Sequence, residues 1–162
     1  MAFQTPMFYK YYARTYRIDS TPEGGLTGTI LDLDTGLFKE DNSHIREVIW
    51  STTESDIRGP FSEERFVRET EAARNDRLSG EGPIFALYET VNGLYAQARK
   101  EGRRLEPQES ALIRSIYQRT FKMWEEESAR RAAGEPPSFE VTSTFYTPEE
   151  LGLDTDPPRS EQ

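Results

Sequence analysis

Hydrophobic and polar positions change period twice along this chain. Residues 7–18, MFYKYYARTYRI, alternate, and aromatic side chains favour the pleated, half-buried surface of a sheet, so the segment predicts a strand. On that reading Phe8, Tyr12, Tyr16 and Ile18 share one face with Lys10 and Arg14, while Tyr9, Tyr11 and Ala13 share the other. The cluster STPEGG (20–25) marks a turn. LTGTILDL (26–33) predicts a second strand, LFKE (37–40) a third and REVIWST (46–52) a fourth, the last with Val48 and Trp50 on one side.

From residue 59 the period becomes helical. Ser62 is a suitable N-cap, Glu63 and Glu64 suit the positive end of the helix dipole, and Phe61 with Phe66 has the spacing of a hydrophobic staple. This predicts a helix to about residue 78, with Glu64–Arg68 and Arg65–Glu69 as i,i+4 pairs on its wet side. A second helix starts at Pro83 and ends near Gly102. Its stripe is Ile84, Leu87, Tyr88, Val91, Leu94, Tyr95 and Ala98. Gly93 inside it costs about 1 kcal/mol relative to alanine, so close packing of another element is expected there. A third helix runs from Pro107 toward Ala133 on Leu112, Ile113, Ile116, Tyr117, Thr120, Phe121 and Trp124, and Gly134, Pro136 and Pro137 stop it. SFEVTSTFY (138–146) alternates again and predicts a last strand. TPEELGL (147–153) predicts one helical turn, and 154–162 a disordered acidic tail.

Strands, then helices, then a strand argue for α+β: an antiparallel sheet of four or five short strands, mostly N-terminal with one C-terminal, packed on two or three helices. At 162 residues, a single domain over 1–153 is expected.

Composition narrows the function classes. A net charge of −9 and a pI near 4.8 argue against non-specific binding to nucleic acid or anionic lipid, and are compatible with a basic protein partner. The charge is uneven. Residues 1–18 hold Lys10, Arg14 and Arg17 and no acid, whereas 147–162 hold five acids and Arg159. There is no cysteine, hence no disulfide or thiolate chemistry. The N-terminus lacks the apolar core of a signal peptide and no apolar run approaches the roughly 20 residues of a membrane span. The expectation is a cytoplasmic protein with no membrane partner.

Candidate chemistry centres on ILDLDTGLFKEDN (30–42). Its Asp32 and Asp34 resemble the first motif of haloacid-dehalogenase-like phosphatases, an apolar run followed by Asp-x-Asp-Gly-Thr. The resemblance would make Asp32 the nucleophile and Asp34 the acid/base. It covers about seven residues, Thr35 and Gly36 stand in swapped order, and no later lysine and acid pair follows to hold Mg²⁺. The alternative is structural: Asp34-Thr35-Gly36 as a three-residue hairpin loop with Gly36 in the left-handed position and Asp32 an exposed cross-strand residue. The lone histidine, His44, cannot form a typical zinc site without a second His or a Cys. It is the one candidate base for a serine triad, but a neighbouring Ser43 on a strand would point the other way. Glu125, Glu126 and Glu127 read as a solvated run, and the basic cluster Arg99, Lys100, Arg103 and Arg104 as dipole complementation at a helix corner.

The leading expectation is a small acidic, non-enzymatic interaction module (adaptor, regulator or immunity-type inhibitor) without a cofactor. Its partner would be a protein, basic in character, or a second copy in a homodimer. Tyrosine and arginine are enriched at interfaces, so Tyr9, Lys10, Tyr11, Tyr12, Arg14, Tyr16 and Arg17 are the candidate contact residues. Two alternatives stand beside it. One is a small-molecule-binding protein or hydrolase using Asp32, His44, Tyr88 and Glu89 in a sheet–helix cleft. The other is a nucleic-acid module in which the tyrosines of the first strand stack bases and its cations hold phosphates.

Overall fold

The structure is a computed structural model and describes residues 4–51 and 56–144. Strands β1 (Met7–Tyr11), β2 (Arg14–Ser20), β3 (Leu26–Leu31) and β4 (Phe38–Glu40) follow one another, then a short helix α1 (Ile45–Trp50) and strand β5 (Ile57–Phe61). Helix α2 (Glu63–Arg77), strand β6 (Leu78–Gly80), helices α3 (Pro83–Lys100) and α4 (Pro107–Ala132) and strand β7 (Val141–Ser143) complete the order. The main sheet is antiparallel, in the order β4-β3-β2-β1-β5, and β6 pairs with β7 in a separate ribbon. This is the expected α+β architecture, with the C-terminal strand outside the main sheet. The helical turn expected at 147–153 and the tail at 154–162 lie outside the described residues, as do the ends of the strands expected at 46–52 and 138–146.

Several elements differ from the sequence reading, among them β6, where no strand was expected between the first two long helices. The strand expected over 7–18 is a hairpin that turns back at Tyr12-Ala13, closed by the pair Tyr11↔Arg14. Tyr12 takes φ 56°, and its N–H donates to the Asp56 carbonyl across 2.8 Å. No glycine, asparagine or proline announces this turn, so the pattern alone ran straight through it. Cross-strand partners share a face. Tyr9 with Tyr16 and Met7 with Ile18 therefore lie on one side, and Phe8 with Arg17 and Lys10 with Thr15 on the other. The faces first assigned to Phe8, Lys10 and Tyr16 are corrected accordingly.

The strand expected at 46–52 is helix α1. Ile45, Val48 and Ile49 at i, i+3 and i+4 all reach the sheet, whereas a strand would have buried only alternate residues. Asp41 prepares the entry by accepting the Ser43 N–H at 3.0 Å, and the His44 carbonyl accepts the Val48 N–H at 3.0 Å. Strand β5, hidden in the sequence by Gly59 and Pro60, adds to the β1 edge with a register shift between Phe8 and Lys10.

The sheet thus carries two cores. Tyr9, Tyr16, Ile18, Ile30 and Ile57 pack beneath α1 through Val48. On the opposite face Phe8 meets Phe66 of α2 with ring centroids 4.6 Å apart, and Thr15 shares a buried 2.7 Å hydrogen bond with Thr70. The larger core lies between α3 and α4, where Ile84, Tyr88, Val91, Ile113, Tyr117 and Trp124 are buried. Of the expected helix stripes, Tyr95 and Leu112 stay exposed and Phe85 is buried in their place. Ser62 caps α2 by accepting the Arg65 N–H at 3.2 Å, and Arg65–Glu69 forms at 3.8 Å. Gly93 meets nothing within 4 Å of where a Cβ would sit, so no neighbour explains that glycine.

Candidate functional site

The loop of Asp32 and Asp34 is a turn. The Gly36 N–H donates to the Asp32 carbonyl at 2.7 Å and the Asp32 N–H to the Leu37 carbonyl at 2.9 Å, with Gly36 at φ 81°. Asp32 is not the exposed cross-strand residue expected. Its carboxylate accepts the Asp34 N–H at 2.9 Å and lies 3.8 Å from Lys39, so it is spent on the turn. A Cβ on Gly36 would stand 2.5 Å from the Trp124 ring, because the turn is pressed onto the helical core.

What it presses on is a buried polar chain that the sequence reading missed. Gly36 offers its carbonyl to Arg74 Nε at 2.9 Å. Arg74 donates to Glu71 at 2.8 Å, Tyr88 donates to the other Glu71 oxygen at 2.9 Å, and Trp124 Nε1 donates to the Tyr88 hydroxyl at 2.9 Å. Glu71 is fully buried and Arg74 nearly so. Burial, then the Glu71 charge, raises the Tyr88 phenol. Each polar group has a partner, which is the condition for burying it. A mean-hydropathy reading of α2 gives no sign of this, because Glu71 and Arg74 look like any solvated helical pair.

Glu127 is the second correction. Expected in a solvated run, it is fully buried and accepts from Arg130 at 2.7 Å, Arg131 at 2.8 Å and the Ser138 N–H at 2.8 Å. Burial pushes this carboxyl up, but the Ser138 N–H and the two guanidiniums outweigh it and hold the group at about 2.

The candidate contact residues separate. Tyr9 and Tyr16 are core, and the Tyr16 hydroxyl donates to the Asp41 carbonyl. Lys10 pairs with Glu69 at 3.3 Å, and Arg17 grips Asp19 through two nitrogens at 2.9 and 3.0 Å. These two cations lie on the face away from Tyr9 and Tyr16, so the tyrosines and Lys10 and Arg17 are not presented side by side.

Tyr11, Tyr12 and Arg14 remain together at the hairpin end, and α1 joins them. Tyr11 stacks on His44 at 4.3 Å, meets the Tyr12 ring edge-on at 4.8 Å and donates its hydroxyl to Glu47 at 2.9 Å. His44 lies between two acids, with Nε2 3.5 Å from Asp41 and Nδ1 3.7 Å from Glu47. Partial burial and the Glu47 hydrogen bond push the Tyr11 phenol up to about 12, and burial with the Asp41 charge does the same for Tyr16. The Ser43 hydroxyl and N–H lower Asp41. One turn after Glu47 stands Trp50, 72% exposed, and Tyr12 is 49% exposed. Neither Trp50 nor Glu47 had entered the expected site, because a strand at 46–52 would have placed them elsewhere.

Of the groups considered for hydrolysis, Tyr88 is committed to the core chain and His44 lies across the sheet, beneath which α1 packs. Ser43 hydrogen-bonds through its hydroxyl to Asp41 rather than to His44. Among the described residues no group of three or more His, Asp or Glu side chains is placed to hold a metal ion, and no helix is long and apolar enough to cross a membrane. No protein-family model, curated protein or solved structure matches the chain.

Proposed function

We propose that this protein is a small acidic, non-enzymatic interaction module that contacts a basic protein partner through the corner formed by the β1–β2 hairpin and α1. The carrying observation is the exposure of Trp50, one turn after Glu47 in α1, and of Tyr12, edge-on to Tyr11 of the Tyr11–His44–Glu47 cluster. Trp, Tyr and Arg are the side chains that dominate interface energetics, and exposed aromatic surface beside carboxylates suits Lys or Arg side chains of a partner. The chain's charge of −9 would steer such a partner to it. Arg14, on the Tyr11 face, belongs to the same corner.

The test is affinity capture from a host lysate at low and high salt, using wild type, Trp50→Ser and Tyr12→Ser, followed by direct titration of the retained protein. One stoichiometric basic protein, lost from both variants and weakened by salt, supports the proposal. Capture of nothing, or equal capture by the variants, overturns it. Sedimentation of the pure protein separates a heterologous partner from a second copy.

A further inference from the structure

The start of α3, the later turns of α4 and the segment before β7 border a cavity of about 220 Å³. Its apolar walls are Pro83, Ile84, Phe85, Met123 and Phe139. The buried Glu127 fixes one of these walls. It accepts the Ser138 N–H at 2.8 Å, and Arg131, bound to the same carboxylate at 2.8 Å, donates to the Phe139 carbonyl at 3.2 Å. The Phe139 ring stands edge-on to Phe85 and Trp124, with centroids 5.7 and 5.2 Å away. The wall is therefore preformed, and collapse of the space would break these contacts. Charges of both signs stand around it. Glu81 and Glu126 are exposed carboxylates, and Arg130 is engaged by Glu127 at 2.7 Å. The Pro83 end of α3 adds the positive pole of a helix dipole.

We propose that this cavity binds a small, uncharged, apolar molecule about the size of one substituted aromatic ring. Apolar walls favour an apolar ligand through the surface both remove from water. An engineered apolar cavity of about 150 Å³ takes up benzene, and this one is somewhat larger. It lies below the roughly 300–1,000 Å³ of sites for drug-sized ligands. A carboxylate ligand would meet Glu81 and Glu126, and an ammonium would meet Arg130 and the positive end of α3. Either ion would also exchange water for walls that offer its charge no partner. A neutral molecule avoids both penalties. A free molecule fits better than a side chain of a docked protein, because the exposed rim carries Glu81 and Glu126, and the cores of protein interfaces are depleted of such carboxylates. The cavity is separate from the hairpin corner and stands whether or not that corner binds a partner.

The experiment titrates the full chain with toluene, and with benzoate and benzylammonium as charged molecules of similar size, followed by NMR of the Ile84 and Met123 methyl groups. The expected result is saturable shifts with toluene, nuclear Overhauser contacts from its protons to both methyls, and binding of either ion weaker by about tenfold or more. Met123→Trp should fill the cavity and abolish binding, and Trp50→Ser should leave it unchanged. Benzoate or benzylammonium binding as tightly as toluene, no saturation by toluene, or binding retained by folded Met123→Trp overturns the proposal. The Overhauser contacts are read on the wild type, so they keep the test valid if Met123→Trp fails to fold, and saturation without them also overturns it.

Discussion

Arg74 Nε donates to the carbonyl of Gly36 across 2.9 Å, and this one bond ties the β3–β4 turn to the helical core. The same glycine has φ 81° and no room for a Cβ beside Trp124 and Leu78. Gly36→Ala therefore combines backbone strain with overpacking. We expect a loss of about 2–4 kcal/mol, read by urea denaturation. A loss under 1 kcal/mol would mean that the turn is not pressed onto Trp124 in solution.

Removing one member of the buried Glu71–Arg74 pair leaves the other charge uncompensated. Arg74→Met should cost about 3–5 kcal/mol, and the double variant Glu71→Leu/Arg74→Met should recover a large part of that. A double-mutant cycle on equilibrium unfolding measures the coupling. Additive losses would show that the two groups act independently.

Glu127 gives a pH signature. Its folded pKa of about 2 is depressed from the ordinary 4.5. A depressed carboxyl stabilises the fold above its unfolded pKa, and that contribution is lost as pH falls through the folded value. The difference in stability between wild type and Glu127→Gln should therefore be constant above about pH 5 and shrink between about 4.5 and 2. A difference that holds at pH 2 would contradict the assigned pairing with Arg130, Arg131 and Ser138.

Gly93 sits in the interior of α3 facing open space. Gly93→Ala should stabilise the protein by about 0.5–1 kcal/mol, raising the thermal midpoint by a few degrees. Destabilisation would point to a contact at that position that the monomer does not make.

Trp50 is so exposed that its loss should barely touch the fold. Trp50→Ser is expected to change stability by less than about 0.5 kcal/mol, measured by chemical denaturation, while removing the proposed partner contact. A large loss of stability would make Trp50 structural.

Local signals were enough for the three long helices. Ser62, Pro83, Pro107 and the Gly134-Pro136 stop are read by the chain's own neighbouring atoms, so their meaning survives without tertiary context. The left-handed Gly36 was legible for the same reason. The α+β class followed from the order of the two periods. Three things depended on residues far apart in the chain. Tyr12 turns in the left-handed region where its N–H reaches Asp56. Ile45, Val48 and Ile49 form a helix because the sheet offers all three a place to bury, which outweighs the strand preference of their β-branched side chains. Glu71, Arg74 and Glu127 carry charge in the interior because partners from other turns and elements meet them there. A charged side chain has the same letter on a wet face and in a core. The sequence determined where the three long helices begin and end by local hydrogen bonding and backbone sterics. Only the packing of those elements decided which charges are buried, which aromatic residues stay exposed, and so where a partner could bind.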